Sequence, residues 1–130
     1  MKTSIADKNF SLFIRLRDAD LNGDIICVTC NKYVFWKRSD CGHFIKRQHQ
    51  GTRFNEINCA AQCKACNYFE QGRTKEHGEF ILKTYGQDNY NYLKSLEKKS
   101  VKRSSFDLKV LADYYKQKAI EIAKEKGIII

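Results

Sequence analysis

Two C-x-x-C pairs frame the part of the sequence that decides the fold: CVTC at residues 27–30 and CKAC at residues 63–66, followed at once by Asn67. Two such pairs supply four thiolates, which is the tetrahedral ligand set of a structural zinc site. An iron–sulfur cluster and unligated thiols are the alternatives. The insert between the pairs is longer than in a compact zinc ribbon, so we expect a structured unit clamped at its base. The predicted zinc ligands are Cys27, Cys30, Cys63 and Cys66.

Polar residues inside and beside this clamp suggest hydrolytic chemistry. Phosphodiester hydrolysis needs an activated water and a cation at the departing oxygen. A neutral His with a pKa near ~6.5 is a suitable general base, and His43 follows Gly42. Asn67 follows the last cysteine, where an amide oxygen could hold Mg²⁺ or Mn²⁺. Asn58 lies where a side-chain amide can tie down the loop that carries His43.

Taken in order, C-x-x-C, Gly-His, Asn and C-x-x-C-Asn resemble the HNH nuclease family, also called ββα-metal or His-Me finger. The resemblance implies that His43 is the general base, that Asn58 orients its loop and that Asn67 is a catalytic metal ligand. It is strongest to the phage NinG/Rap group of junction-specific recombination endonucleases, and it covers residues 27–96. The matching residues are Cys27, Cys30, Gly42-His43, Arg53-Phe54-Asn55-Glu56, Asn58, Gln62-Cys63, Cys66-Asn67 and Gly72.

One position departs from the common HNH pattern. Many HNH enzymes place an Asp or His directly before the general base as the first metal ligand, whereas this chain has Gly42. Asp40 is the nearest carboxylate and is our candidate ligand; an exposed turn residue is the alternative.

Cys41 and Cys59 lie outside the C-x-x-C pairs, and we interpret them as small buried hydrophobic residues. Cys41 would be a poor ligand for Mg²⁺, which prefers oxygen.

The charge balance favours an anionic partner. The chain has 24 Lys and Arg residues against 15 Asp and Glu, a net charge of +9, and nucleic acid is the common partner of such a protein. Such side chains would contact backbone and shape rather than base sequence, which fits branched DNA. A solvated basic face is the alternative. The candidate DNA-binding residues are Lys46, Arg47 and Arg53 near His43, and Lys98, Lys99, Lys102 and Arg103 in a second cluster.

The expected fold is α+β in one domain, residues 1–130: a zinc-clamped ββα-metal unit with an N-terminal helix and a helical C-terminal extension. Residues 1–24 would form the helix (9–18) and a turn, residues 25–73 the clamped core, and residues 74–130 the extension. Within the core we predict strands at 25–27, 33–36 and 43–45, a return strand at 52–54, and a helix from Cys63 through Glu70. In the extension, Ser104 or Ser105 caps a last helix that Gly127 ends.

Neither a secretory signal nor an apolar run of the ~20 residues that span a bilayer is seen. We therefore expect an intracellular protein, in the host cytoplasm if phage-encoded, with no membrane partner and reduced thiols. The C-terminal helices are candidates for pairing two copies, since resolving a junction takes two coordinated nicks. The rival interpretations are a sequence-specific or nonspecific HNH nuclease, a non-catalytic zinc-stabilised DNA-binding module, and a disulfide-stapled secreted protein.

Overall fold

The computed structural model describes residues 3–130 and begins with a capped helix, α1 (Ile5–Asp18). Ser4 and Asp7 form a capping box, in which the Asp7 N–H donates to the Ser4 hydroxyl at 3.1 Å and the Ser4 N–H donates to the Asp7 carboxylate at 2.8 Å. Because this box satisfies free N–H groups of the first turn, the helix starts earlier than the predicted Asn9. Its buried face carries Phe10, Phe13, Ile14 and Leu16.

Two small antiparallel sheets follow. β1 (Asp24–Ile26) pairs with β2 (Tyr33–Phe35), and the first cysteine pair lies in the turn between them. β3 (Ser39–His43) pairs with β4 (Cys59–Cys63) in a register that joins Ser39 to Cys63 and His43 to Cys59. We call this pairing the β3–β4 ladder.

The predicted third and fourth strands were displaced. His43 ends a strand rather than starting one at 43–45, and residues 52–54 lie in a turn, so the return strand is β4. The physical reason is burial: every residue of β4 is buried, and its small side chains fit a strand covered on both faces. Arg53 is also buried, but from the turn its guanidinium reaches the Asp7 carboxylate, as described below.

The chain leaves β4 in a single π-helical turn, Ala65–Phe69, instead of a helix reaching Glu70. Two strands and a helical turn thus follow in the order of a ββα unit. The architecture is α+β, with two two-stranded sheets and the helices packed around them.

The C-terminal part of the chain is helical and packs against the earlier elements. α2 (Thr74–Tyr85) and α3 (Gln87–Ser95) cover the loop after β3, where Ile81 and Leu93 pack with Phe44 and Ile45. α4 (Ser105–Lys126) begins at a second capping box, Ser104 with Asp107, and ends at Gly127 with φ +70°.

α4 returns to α1 and closes the main core. The Tyr115 ring lies 4.8 Å from the Phe10 ring, edge to face, and the Asn9 amide donates to the Ala112 carbonyl at 2.9 Å. At the far end, the Lys126 ammonium donates to three carbonyls around the end of α1, that of Ala19 among them at 2.6 Å. The first and last helices therefore support one core.

Among the residues described, no helix has the length and apolar character to cross a membrane.

Candidate active site and metal centre

The four cysteines of the C-x-x-C pairs converge, and we call them the zinc clamp. Their sulfur atoms all lie within 4.8 Å of one another, and Cys30 Sγ is 3.8 Å from Cys63 Sγ. Tetrahedral zinc with bonds of about 2.3 Å separates its sulfurs by about 3.8 Å, so the group fits the ion. Within the described residues 3–130, none of the six cysteines forms a disulfide. The clamp can therefore hold zinc, with no position left for catalysis.

Hydrogen bonds prepare the clamp for a cation. Burial raises the pKa of the Cys27 thiol, but the Cys63 N–H and the Thr29 hydroxyl outweigh it and bring that pKa down to about 6. Burial and the neighbouring thiols Cys66 and Cys27 raise the pKa of Cys63 to about 12, although the Cys66 N–H opposes them. These hydrogen bonds thus favour the thiolate of Cys27, and a bound cation would favour the thiolates of the others.

His43 lies at the other end of the β3–β4 ladder, and backbone carbonyls contact its ring. Its Nε2 lies 3.1 Å from the Arg53 carbonyl oxygen. A carbonyl only accepts, so in the tautomer that makes this bond Nε2 carries the proton and Nδ1 of the neutral ring is the acceptor. Burial lowers the pKa of His43, as does the positive charge of Arg47, against the opposing effect of the Arg53 and Cys41 carbonyls. The ring is therefore neutral at neutral pH, as a general base must be.

Asn58 holds the loop that follows β3. Fully buried, it accepts from the Ile45 N–H at 2.8 Å and donates to the carbonyls of Ile45 at 3.0 Å and Thr52 at 3.2 Å. The Phe44 N–H donates to its backbone carbonyl at 2.9 Å. These bonds connect Asn58 to the residues on both sides of the His43–Arg53 contact.

Asn67 and Asp40 are neighbours. The Asn67 amide donates to one carboxylate oxygen of Asp40 at 3.1 Å, and the exposed Lys64 ammonium donates to the other at 2.7 Å. Asp40 and His43 are separated by three positions in one strand, so their side chains leave opposite faces of β3. Asp40 thus reaches the site only through Asn67.

A cleft of about 560 Å³ brings the candidates together. His43 and Asn67 both line it, whereas Asp40 does not. The remaining wall comes from α1 and from the loop after β3. Its other lining residues are Thr3, Asp7, Lys8, Phe10, Ser11, Arg15, Cys41, Lys46, Arg47 and Gln71.

The basic residues around the cleft divide into two groups. Lys46 is exposed and donates to the Gln71 carbonyl at 3.0 Å, and Arg47 reaches the Thr3 hydroxyl at 2.8 Å. Arg53 is different. Only 6% of it is exposed, and its guanidinium forms a two-pronged ion pair with Asp7, with Nε 2.9 Å from the carboxylate. This position contradicts our expectation that Arg53 contacts a phosphate, because its donors face a buried carboxylate.

The second basic cluster also divides. Lys98, Lys99 and Lys102 are exposed. Arg103 instead donates to the Gln50 carbonyl at 3.0 Å, and its guanidinium lies 5.0 Å from the Phe54 ring centre. Three members of the cluster are therefore available to a partner, while Arg103 braces the loop after β3.

Sequence reasoning missed the contribution of α1 to the cleft. Lys8, Ser11 and Arg15 recur at intervals of three and four residues, so they share one helix face. That polar stripe was the available signal. The sequence analysis also missed a second group of potential metal ligands, Cys41, His43 and Cys59. Their ligand atoms lie within 4.8 Å of one another.

Comparison with known proteins gives one match. Residues 3–125 fit the family model described as the bacteriophage lambda NinG protein. The match is longer than the 27–96 that the sequence resemblance covered, and it includes both α1 and nearly all of α4. No curated protein and no solved structure matches the chain.

Proposed function

This chain belongs to the NinG family and is thus a phage recombination-related protein; on that basis we propose that it is a metal-dependent DNA endonuclease acting on branched DNA such as a four-way junction. The observation that carries the proposal is the bond from His43 Nε2 to the Arg53 carbonyl at 3.1 Å. It leaves Nδ1 unprotonated in a ring that lines an open, basic cleft. A neutral imidazole so held can take a proton from water.

The catalytic ion would be held by Asn67, with Asp40 behind it. Turning the Asn67 amide over would bring its oxygen beside the Asp40 carboxylate, which gives the oxygen ligands that Mg²⁺ and Mn²⁺ prefer. When bound, such an ion supplies positive charge at the departing oxygen. The Lys64 ammonium now pairs with Asp40, and its large exposure lets it move aside.

DNA would enter along the basic rim of the cleft. Lys8 and Arg15 from α1 and Lys46 and Arg47 from the opposite wall surround the space next to His43. Side chains of this kind hold phosphates without reading sequence. The exposed lysines 98, 99 and 102 would follow a second duplex arm.

Two exposed aromatic rings support a branched substrate. Tyr68 and Phe69 follow Asn67, are 78% and 77% exposed, and have ring centres 5.0 Å apart. Water-exposed rings next to a site suit stacking on bases that lack a neighbour. A branch point offers such bases, whereas an intact linear duplex does not.

A cleavage assay tests the proposal. Wild-type protein is incubated in Mg²⁺ or Mn²⁺ with a synthetic four-way junction and with a linear duplex of matching sequence. We expect the junction to be cut preferentially, and we expect His43→Ala to lose at least ~10²-fold in rate, the usual contribution of a general base. His49→Ala is the matched control, because that histidine does not line the cleft.

Each outcome has a distinct meaning. Equal cutting of both substrates would keep the nuclease and reject the preference for branches. Cutting at one duplex sequence would identify a sequence-specific HNH nuclease. Folded, zinc-loaded protein that binds DNA but never cuts it in either ion would identify a zinc-stabilised binding module.

A further inference from the structure

A second group of metal-ligating side chains lies at the end of the β3–β4 ladder opposite the zinc clamp. The ligand atoms of Cys41, His43 and Cys59 are within 4.8 Å of one another. The strand register brings them together: His43 pairs directly with Cys59, and Cys41 precedes His43 by two residues on the same face of β3. Three donors are thus held on one rigid strand pair.

We propose that Cys41, His43 and Cys59 form a second metal site, selective for thiophilic ions such as Zn²⁺. An ion bound there prevents His43 from acting as the general base. The metal-binding part stands on this geometry alone, while the inhibitory part rests on the proposed function. On binding, each thiol releases its proton to solvent and its sulfur bonds to the metal; nothing is oxidised or reduced.

The donor set and its spacing suit zinc. Two thiolates and one imidazole, with the fourth position open, form a known type of zinc site. With ordinary bond lengths, neighbouring ligand atoms of tetrahedral zinc are about 3.5–3.8 Å apart, so a contraction of at most about 1.3 Å closes the group around the ion. Magnesium prefers oxygen ligands and would not compete for the sulfurs.

An ion can reach this site from solvent. Cys41 and His43 both line the cleft, whereas Cys59 lies behind them and is 1% exposed. Cys59 belongs to the main core and Cys41 packs against it, as expected of small hydrophobic residues, but Cys41 also lies in the wall of the cleft.

Inhibition follows from the number of ring nitrogens. Nε2 of His43 is engaged by the Arg53 carbonyl at 3.1 Å, so Nδ1 is the nitrogen left for a metal. The same Nδ1 would accept the proton from water. One lone pair cannot serve both purposes, so metal occupancy and general-base catalysis exclude each other.

A binding titration tests the site without any nuclease assay. Metal-free protein is titrated with Co²⁺, whose sulfur charge-transfer bands report thiolate ligation, and native mass spectrometry counts the ions. We expect wild type to bind two equivalents and Cys41→Ala to bind one. Because Cys59 is buried and its replacement can impair folding, His43→Ala is the second variant, and it too should bind one. Wild type that binds a single equivalent, or variants that still bind two, would overturn the site.

A second arm separates this inference from the proposed function. Junction cleavage in Mg²⁺ is compared with and without added Zn²⁺ for each protein. At zinc about ten times its Kd for the second site, wild-type cleavage should fall about tenfold, and Cys41→Ala should not respond. Two bound equivalents with unaffected cleavage would overturn the inhibition. Two equivalents with no cleavage under any condition would preserve the metal site and reject the nuclease.

Discussion

The two ends of the β3–β4 ladder are held by different means. At the Ser39–Cys63 end, four cysteines from two short turns surround a space of the size of a zinc ion. At the His43–Cys59 end, the position of His43 depends on the Arg53 carbonyl, and Arg53 in turn is held by Asp7 of α1. One end is organised by a few residues close in the fold, and the other by contacts between distant parts of the chain.

This difference predicts different responses to mutation. Loss of one clamp ligand should unfold the whole unit, because structural metal binding and folding are a single equilibrium. Loss of one contact at the His43 end should weaken the fold by a limited amount and misplace the base. Substitutions at the two ends can therefore test whether the ends are separable.

The largest effect is expected for Cys63→Ala. Structural zinc contributes on the order of 10–16 kcal/mol in small zinc domains, which exceeds the ~5–15 kcal/mol stability of a typical domain. The variant should lose bound zinc and cooperative thermal unfolding, followed by circular dichroism and metal analysis. Cys41→Ala, outside the clamp, should keep the clamp zinc and the cooperative transition. A cooperative wild-type-like transition in Cys63→Ala would show that the clamp does not support the fold.

A smaller, measurable loss is expected for Asp7→Asn. The Asp7–Arg53 pair is buried, with both side chains 7% exposed, and breaking a buried pair by removing one partner costs about 3–5 kcal/mol. Urea unfolding at pH 7 measures the loss. The control is Asp113→Asn, whose exposed pair with Lys109 should contribute less than about 1 kcal/mol.

The same pair predicts a pH dependence. Burial alone would raise the pKa of Asp7, but hydrogen bonds from Arg53 and from the Ser4 N–H and hydroxyl lower it to about 2. Because the folded-state pKa lies below the unfolded value, the stabilisation is complete above about pH 4–5 and is lost as the pH falls toward 2. The difference between wild type and Asp7→Asn should therefore shrink at pH 3. An unchanged difference would mean that the carboxylate charge is not what stabilises this end.

The two ends of the β3–β4 ladder also differ in how well the sequence predicts them, because one is built from short motifs and the other from long-range contacts. The zinc clamp could be inferred because its ligands lie in two short motifs whose spacing is itself the chemical requirement. The buried pairing of Arg53 could not, because its partner Asp7 lies 46 positions away and a buried arginine looks like a surface arginine in sequence. The displaced strands have a similar cause, since β4 is chosen by burial on both faces rather than by the propensity of its small residues. The packing of α4 against α1 also could not be predicted, because hydrophobic periodicity predicts a helix but does not identify the element that it packs against.

The smallest effect at neutral pH, and a test of the packing under the loop after β3, is expected for His77→Leu. His77 is 1% exposed beneath Phe44, and its Nε2 has no hydrogen-bond partner among the described residues. Burial, with electrostatic repulsion from Lys46 and from His43 when it is protonated, lowers the pKa of His77 to about 4. A side chain of similar size should change stability at pH 7 by no more than about 1.5 kcal/mol.

Wild type and His77→Leu should differ in how their stability changes in acid. Since the folded-state pKa of His77 lies below its unfolded value near 6.5, wild type is progressively destabilised as the pH falls from about 6.5 to 4, by about 3 kcal/mol in total. His77→Leu lacks this term, so its urea midpoint should fall less over the same range. A parallel decline in both proteins would mean that His77 is hydrated or protonated in the native state. Water would then reach the loop after β3 on its His77 side. Burial would no longer protect the hydrogen bonds by which Asn58 and Arg53 position His43.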